Sequence, residues 1–281
     1  MAINVKGLLL SAVVVSFSLS LKPSDPLFTD GTEMHSCGAC CYSGLEELSR
    51  YDVAAMNDTT IISGELYVVK LSEQLYTHVS YHTDPKWGRF TCNGMIYYPN
   101  DSAAVLFDTP MDDSVTEQLL DWIERTGYTE VTLFVPNHFH DDCLSGYDVL
   151  LSHGVDQILM NPMTRKLYDG NLNGMLPFYI PDFESAHFEC FYPGPAHTDD
   201  NIVAWFPKEK VLFGGCMVKS AYSKSMGNIA DANLKKWPKT IKKVKRKFKD
   251  AHLIVPGHGP AGGAELLDHT LYLLKVNRDD D

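Results

Sequence analysis

Strand-like and helix-like segments alternate through both halves of the chain, and this alternation predicts an α/β fold. Short β-branched and aromatic runs, broken by Gly, Asn, Asp and Pro, are the strand signals. Amphipathic stretches with capping and stop residues are the helix signals. Two mixed sheets packed face to face with helices outside, a four-layer αββα sandwich, satisfy this pattern. Strand ends would then meet in one groove at the sheet edges.

The first half of the body begins with strand segments and continues into a helix. The runs "IISGELYVVKL", "QLYTHVSYH", "MIYYP" and "AAVLFDTP" are typical of antiparallel hairpins. The helix is predicted in "DSVTEQLLDWIERTGY", where Ser114 and Glu117 suggest a capping box and Gly127 lies near the end. A strand in "VTLFVPNH", a helix in "LSGYDVLLSHG" and a strand in "QILM" follow.

The second half contains a hairpin, a strongly basic helix, a strand and a closing helix. The hairpin is predicted in "NIVAWFPKEKVLFGG", the strand in "AHLIVPGHG" and the closing helix in "GAELLDHTLYLLKV". The segment "KKWPKTIKKVKRKFK" has nine basic residues and no acidic one, with Pro238 suited to a first helical turn. Its apolar residues have helical spacing: Trp237, Ile241, Val244 and Phe248. We interpret its basic side as the solvated face of a packed helix, with a membrane or anion patch as the alternative.

Charge and the N-terminal residues restrict the class of protein. The formal net charge of −12 argues against a nucleic-acid binder, whose phosphate contacts need a basic surface. Residues 1–20 predict a secretory signal peptide, because one lysine precedes an apolar run that is short and rich in serine. An uncleaved anchor is the alternative. We expect an extension or linker in residues 21–57, where "CGACC" is a disulfide or free-thiol segment of unassigned role. We expect the folded domain, without a membrane span, in residues 58–281.

Four stretches place metal-capable side chains at predicted strand ends or turns: "HFHDDC", "GPAHTDDN", "LFGGCMVKS" and "VPGHGP". Three imidazoles suit a hydrolytic zinc with an open fourth position, and aspartate, thiolate and imidazole suit a second zinc. Each residue alone has an ordinary explanation, since a buried cysteine is usually a small hydrophobe and a lone histidine is usually structural. The candidate ligands are His138, His140, Asp142, His197, Cys216 and His258.

These stretches, with "GNIADAN" and in this order, resemble the class B metallo-β-lactamases, most closely their two-zinc subclass with a cysteine ligand. The resemblance covers about residues 60–281 and implies the αββα metallo-β-lactamase fold. It also implies a periplasmic, monomeric enzyme that opens the β-lactam amide with a metal-bound hydroxide and so confers resistance. By motif position it implies two zinc sites: His138, His140 and His197 for the first, and Asp142, Cys216 and His258 for the second.

The resemblance further implies residues that act on the substrate. Lys219 is similar to the residue that grips the substrate carboxylate, and Asn228 to the one that polarises the lactam carbonyl. Asp142 would also orient the attacking water. Trp87, in "SYHTDPKWGRF" between two strands, would give apolar contact to the drug from a mobile flap, with a packed surface tryptophan as the alternative. Asp108, in "LFDTP", is expected to support the site rather than bind metal.

Cys143 departs from the family pattern, because this subclass usually has arginine after the aspartate ligand. Its thiol could add a ligand, pair with another cysteine or tune the second ion. Two other functions stay open: another hydrolase of the same fold, such as a thioesterase or lactonase, and a non-catalytic metal-binding protein. Cys216 and Lys219 weigh against the first of these, because those branches tend to place a carboxylate bridge between the metals.

Overall fold

The computed structural model describes residues 58–127, 129–181, 183 and 185–276. The predicted signal peptide and the predicted extension with its cysteine cluster lie outside the described residues. The domain boundary at residue 58 therefore stays a prediction.

The larger sheet has eight strands that follow one another across the sheet in chain order. They are β1 (Thr59–Ile61), β2 (Leu66–Lys70), β3 (Leu75–Asp84), β4 (Gly88–Asn100), β5 (Ala103–Phe107), β6 (Val131–Val135), β7 (Gln157–Met160) and β8 (Leu176–Tyr179). Strands β1 to β5 pair antiparallel, as the predicted hairpins require, and β5 to β8 pair parallel.

Helices connect the parallel strands, because parallel neighbours need a crossover between them. Helix α1 (Asp113–Gly127) joins β5 to β6. The short helices α2 (Asp141–Leu144) and α3 (Tyr147–Ser152) lie between β6 and β7, and α4 (Thr164–Leu167) lies between β7 and β8. The loop between β6 and α2 is the "HFHDD" stretch.

The smaller sheet has four strands in the spatial order β12-β11-β10-β9. They are β9 (Glu189–Phe191), β10 (Val203–Phe206), β11 (Val211–Gly215) and β12 (Leu253–Pro256). The pair β10–β11 is the predicted antiparallel hairpin, and β12 pairs parallel with β11. Helix α5 (Trp237–Lys247) makes the crossover to β12, and α6 (Glu265–Val276) follows that strand.

Three hydrophobic clusters separate the layers. The central cluster includes Phe107, Phe206 and Phe213, one from each of β5, β10 and β11, and therefore lies between the sheets. A second cluster includes Leu119 of α1 on the larger sheet, and a third includes Trp237 of α5 on the smaller sheet. Each such side chain contributes about 1.5–3 kcal/mol by leaving water. This is the predicted arrangement of two mixed sheets with helices outside.

The start of α1 differs from the prediction. Asp112 is the N-cap residue, because its Oδ1 accepts the backbone N–H of Val115 at 3.1 Å. Ser114 lies inside the helix and donates its hydroxyl to the same carboxylate at 2.6 Å. A carboxylate both caps the N–H groups and complements the helix dipole. The predicted capping box of Ser114 and Glu117 is therefore wrong.

The segment 80–90 is mostly strand rather than a connection between strands. Strands β3 and β4 pair continuously as far as Asp84 and Gly88, and β4 extends well before the predicted "MIYYP". Asp84 Oδ1 accepts the N–H groups of Lys86 at 2.7 Å and Trp87 at 2.9 Å, which closes a tight turn. Gly88 has φ +73°, which suits glycine in that turn.

Two edge strands were missed from the sequence. Strand β8 contains Pro177. A proline in a sequence argues against a central strand, but an edge strand tolerates it. Strand β9 has only three residues. Among the described helices, none combines the length and apolarity needed to cross a bilayer.

Candidate metal centre

Three histidine rings converge where strands from both sheets end. His138 and His140 lie in the loop after β6, and His197 lies in the turn before β10. The ring centroids of His138 and His140 are 4.7 Å apart. The ring centroid of His197 lies 4.9 Å from that of His138 and 5.1 Å from that of His140. His138 Nε2 is 3.0 Å from His140 Nδ1. The three imidazoles therefore border one small space.

The second ring nitrogen of two of these histidines has its own partner. His138 Nδ1 lies 3.1 Å from Cys143 Sγ, and His140 Nε2 lies 2.9 Å from Asp231 Oδ2. Such partners fix the orientation of a ring and leave the opposite nitrogen for a metal. The nitrogens left over are Nε2 of His138 and Nδ1 of His140, the same two that approach each other.

A second cluster joins a carboxylate, a thiol and an imidazole. Cys216 Sγ is 3.0 Å from Asp142 Oδ2 and 3.3 Å from His258 Nε2. His258 Nε2 is 3.1 Å from Asp142 Oδ2. The other nitrogen of His258, Nδ1, lies 2.8 Å from the carbonyl oxygen of Thr91, so Nε2 faces the cluster.

The two clusters touch each other. His138 Nε2 lies 3.4 Å from Asp142 Oδ1. One ligand atom from each of His138, His197 and Cys216 lies within 4.8 Å of the others, as do those of Asp142, Cys216 and His258. The donor set of imidazoles, a thiol and a carboxylate suits zinc or a similar transition metal. All six predicted ligands therefore lie together, while their role as ligands stays a prediction.

Comparison with known proteins gives the family. No protein-family model matches the chain. A metallo-beta-lactamase type 2 of Bacteroides fragilis is 41% identical over 226 residues, which are 78% of this chain and 90% of the relative. One from Pseudomonas aeruginosa is 35% identical over 211 residues, covering 73% of this chain and 83% of the relative.

This chain belongs to the class B metallo-β-lactamases.

The fold of this metallo-β-lactamase agrees with that of solved relatives. A metallo-beta-lactamase structure from Pontibacter korlensis has a TM-score of 0.70 and 37% sequence identity, and the match covers 75% of this chain and 99% of that one. The recognition of the family and of its fold from the sequence is therefore confirmed.

The turn that carries His258 approaches Cys216 so closely that a side chain would not fit between them. A Cβ on Gly257 would lie 2.3 Å from Cys216 Sγ. Asn93 of β4 holds this turn, because its Nδ2 donates to the carbonyl oxygen of Pro256 at 2.8 Å. The hydrogen bond joins the larger sheet to the end of β12. Sequence reasoning missed Asn93, since a single asparagine in a strand carries no distinctive pattern.

Burial disfavours the protonated form of two of these histidines. Burial lowers the pKa of His138 to about 3, against the attraction of Asp142. Burial also holds the pKa of His197 well below its usual range, and the neighbouring imidazole of His138 adds to this. Neutral imidazoles keep the lone pairs that a metal requires.

Opposing effects act on the acidic groups. Burial disfavours the Asp142 carboxylate, but its electrostatic interactions with His138 and His258 and a hydrogen bond from His258 outweigh that effect, so its pKa is held well below the usual range. Burial raises the pKa of the Cys216 thiol well above its usual value, and the charge of Asp142 raises it further. A cation is therefore needed to deprotonate this thiol near neutral pH.

Cys143 lies beneath the cluster as a buried thiol. Its Sγ contacts His138 Nδ1, and no disulfide joins it to another cysteine of the described part of the chain. Asp108, buried and with φ +56°, accepts the backbone N–H of Asn137 at 2.5 Å. It supports the loop that leads into His138, as the sequence suggested.

The predicted substrate residues occupy three different environments. Lys219 is buried, with Nζ 5.5 Å from the ring centroid of Trp237, and burial lowers its pKa. Asn228 is exposed, and its Oδ1 accepts the N–H of Ala230 at 3.2 Å, which leaves the Nδ2 group for a ligand. Trp87, at the tip of the β3–β4 turn, is 48% exposed and has Lys86 Nζ 4.5 Å from its ring centroid.

Asp231 was missed from the sequence although it lies in the quoted "GNIADAN" motif. Its carboxylate contacts His140 Nε2 from 91 positions away in the chain. The motif drew attention to Asn228 alone, and nothing in the sequence indicates that Asp231 contacts His140.

Proposed function

We propose that this metallo-β-lactamase hydrolyses the amide bond of β-lactam antibiotics with two zinc ions and so confers resistance to them. The arrangement of Cys216 carries the proposal, since its Sγ lies 3.0 Å from Asp142 and 3.3 Å from His258, beside three imidazoles. The relatives, which are themselves named metallo-β-lactamases, support the same activity.

The ring partners assign the nitrogens that would hold each ion. His138 through Nε2 and His140 through Nδ1 would hold the first ion together with His197, because their other nitrogens contact Cys143 and Asp231. The second ion would lie among Asp142, Cys216 and His258 Nε2. Zinc, when bound, lowers the pKa of water to about 7 and polarises a carbonyl oxygen.

The remaining steps depend on side chains of the chain itself. Asp142 stays ionised at neutral pH because its pKa is held well below the usual range, so it can accept a hydrogen bond from the attacking water and orient it. Asn228 Nδ2 donates to the lactam carbonyl as negative charge develops there. One such donor is worth about 3–4 kcal/mol in other hydrolases. Lys219 pairs with the carboxylate of the drug as a point charge.

A chelator assay tests the proposal. The purified protein should open a chromogenic cephalosporin, lose the activity in a strong chelator and regain it when zinc is added. Full activity in the chelator would reject the metal mechanism. Zinc binding without turnover of any β-lactam or ester would favour the non-catalytic metal-binding protein.

The alternative activity is that of a thioesterase or lactonase of the same fold. The thiol of Cys216 stands against it, because those branches tend to place a carboxylate bridge between the metals. Rates on a penicillin, a cephalosporin, a carbapenem, a thioester and a lactone would separate the two, and faster turnover of either ester class would overturn the β-lactam assignment.

We also infer that the enzyme is exported to the periplasm and is monomeric. The apolar segment in residues 1–20 supports export, and family precedent supports a monomer. N-terminal sequencing of protein from the periplasmic fraction should begin near residue 21. Light scattering after size-exclusion chromatography should give the mass of one chain.

A further inference from the structure

Helix α5 exposes a line of cationic side chains on one side. Three members lie within the helix, three or four residues apart and therefore on one side of it, and the other two lie in the turns at its ends. All are exposed, and no acidic residue interrupts the segment 235–249. We call this set the basic stripe: Lys235, Lys239, Lys242, Arg246 and Lys249.

The basic stripe has no ion pairs within the described part of the chain. The other three cations within the helix each have a partner in the fold. Lys243 Nζ donates to the carbonyl oxygen of Pro193 at 2.8 Å, Lys247 pairs with Glu189 at 2.7 Å, and Lys245 pairs with Asp268. These contacts hold the helix in place, whereas the basic stripe holds nothing in the fold.

The opposite side of the helix is committed to the core. Trp237, Ile241 and Val244 are each 0% exposed, and Phe248 is 5% exposed. The helix therefore offers a partner its charges and no apolar anchor. Specific protein interfaces usually depend on buried aromatic or aliphatic anchors, so this surface does not resemble one.

We propose that the basic stripe docks the folded enzyme peripherally on an anionic phospholipid membrane. A fluid layer of anionic headgroups needs only a row of cations at its surface, without an apolar anchor or a shaped groove. Export, which the N-terminal residues predict, would bring the enzyme next to such a surface. The proposal is independent of the metal centre and of the reaction.

The net charge of −12 does not prevent this docking. At physiological salt the Debye length is about 8 Å, so a membrane interacts mainly with the charges nearest to it. Salt then screens the acidic groups elsewhere on the chain, and the cations of the basic stripe dominate the electrostatic interaction with the membrane. The same argument disfavours double-stranded nucleic acid. A duplex in contact with more of the protein would bring its phosphates close to the acidic surface, which would repel them.

Binding to lipid vesicles tests the proposal with the intact chain. The native protein should bind vesicles of about one third phosphatidylglycerol in phosphatidylcholine and should not bind pure phosphatidylcholine. The triple variant Lys239→Gln, Lys242→Gln, Arg246→Gln keeps good helix formers and removes three charges. Because each surface cation is worth about fivefold in partitioning, we expect at least a tenfold loss.

A matched control removes three exposed lysines elsewhere: Lys166→Gln, Lys208→Gln and Lys275→Gln. It should bind the anionic vesicles within about twofold of the native protein, if each lost charge acts only near the membrane. Both variants should keep the native circular dichroism spectrum and rate of β-lactam hydrolysis, since none of these residues lies in the metal centre.

Three results would overturn the proposal. The first is native protein that ignores anionic vesicles both at about 150 mM and at about 10 mM salt, where the Debye length is about 8 Å and ~30 Å respectively. The second is an equal loss of binding in the control and the stripe variant. The third is tighter binding to double-stranded DNA than to anionic vesicles at equal phosphate concentration, which would assign the surface to nucleic acid.

Discussion

The histidines of the centre are oriented by contacts that a motif does not contain. Cys143, Asp231 and the carbonyl oxygen of Thr91 each contact the ring nitrogen that faces away from the cluster. A ligand atom of Cys143 lies within 4.8 Å of those of His138 and Asp142, so the alternative that this thiol adds a ligand stays open. Its contact with His138 Nδ1 adds a second possible role, because a thiol there can orient the ring of a predicted ligand of the first ion.

Replacing the thiol of the second cluster should reduce the number of bound ions. We expect Cys216→Ser to bind one zinc tightly instead of two, because a hydroxyl is a much poorer ligand than a thiolate. Metal analysis after dialysis at limiting zinc measures this. Cys190→Ser, at an unrelated free cysteine, is the control and should keep the native content. Two retained ions in Cys216→Ser would refute the second site.

Lys219 should affect substrate binding more than chemistry. We expect Lys219→Ala to raise KM about tenfold while kcat changes by less than about threefold, if the contact is equally strong in the ground and transition states. Steady-state kinetics on one cephalosporin measures both. Lys275→Ala, at an exposed position on α6, should leave both constants unchanged. An unaltered KM in Lys219→Ala would remove the assigned role.

At the scale of elements, the centre consists of loops that follow strands. The loop after β6 carries two histidines, and the ends of β11 and β12 carry Cys216 and His258. Parallel pairing of β11 with β12 brings these two ends to the same edge. The sheets therefore supply a rigid base. The absence of a side chain at Gly257 lets the turn that carries His258 come close to Cys216.

Filling that close approach should disturb the second cluster. We expect Gly257→Ala to lower zinc affinity at the second site by at least tenfold, because the added Cβ would lie 2.3 Å from Cys216 Sγ and must displace the turn. Gly64→Ala is the control, since no heavy atom lies within 4 Å of its added Cβ. Competition with a chromophoric chelator measures the zinc affinity of both variants. Equal affinities would contradict the predicted clash between the added Cβ and Cys216 Sγ.

His78 of β3 should make stability depend on pH. Burial lowers its pKa to about 4, although its Nε2 contacts the carbonyl oxygens of Phe107 and Asp108. The unfolded chain, with a pKa of about 6.5, therefore binds the extra proton first, and stability falls as the pH falls from 6.5 toward 4. From pH 7 to 5 this amounts to about 2 kcal/mol.

Urea unfolding of the chelated protein measures this term. His78→Gln removes the titration, so its unfolding free energy should fall by about 2 kcal/mol less than that of the native protein over the same pH range. Parallel pH dependence in the two proteins would show that His78 is not the cause.

At the scale of the whole molecule, the centre lies across the two sheets. His138, His140 and Asp142 follow β6 of the larger sheet, whereas Cys216 and His258 follow strands of the smaller one. Ions held by all of them would connect the two halves of the sandwich. An ion that binds only the folded state also stabilises it by mass action.

Metal removal should therefore lower thermal stability. At a zinc concentration about a hundred times the dissociation constant, binding contributes about 2.7 kcal/mol per site. For a domain of this size, the loss should lower Tm by roughly 5–10 °C per site. Calorimetry with zinc and with excess chelator measures the shift, and an unchanged Tm would mean that no ion stabilises the fold.

The sequence by itself determined the family, the layer order and the six candidate ligands. Periodicity of apolar residues specifies strands and helices locally, and the ligands lie in short motifs that can be read within ten residues. The hairpins of the larger sheet and the basic helix followed from such local patterns. The predicted capping box at Ser114 was wrong because Asp112 and Ser114, two positions apart, can both cap a helix, and only the geometry shows that Asp112 does so.

Only the tertiary structure decided which side chains support the ligands. Asn93 reaches the end of β12 from 163 positions away, and Asp231 reaches His140 from 91 positions away. The short edge strands β8 and β9 also form only against their neighbours. Contacts of this kind depend on how loops from distant parts of the chain meet over two packed sheets, and no local pattern of residues encodes that meeting.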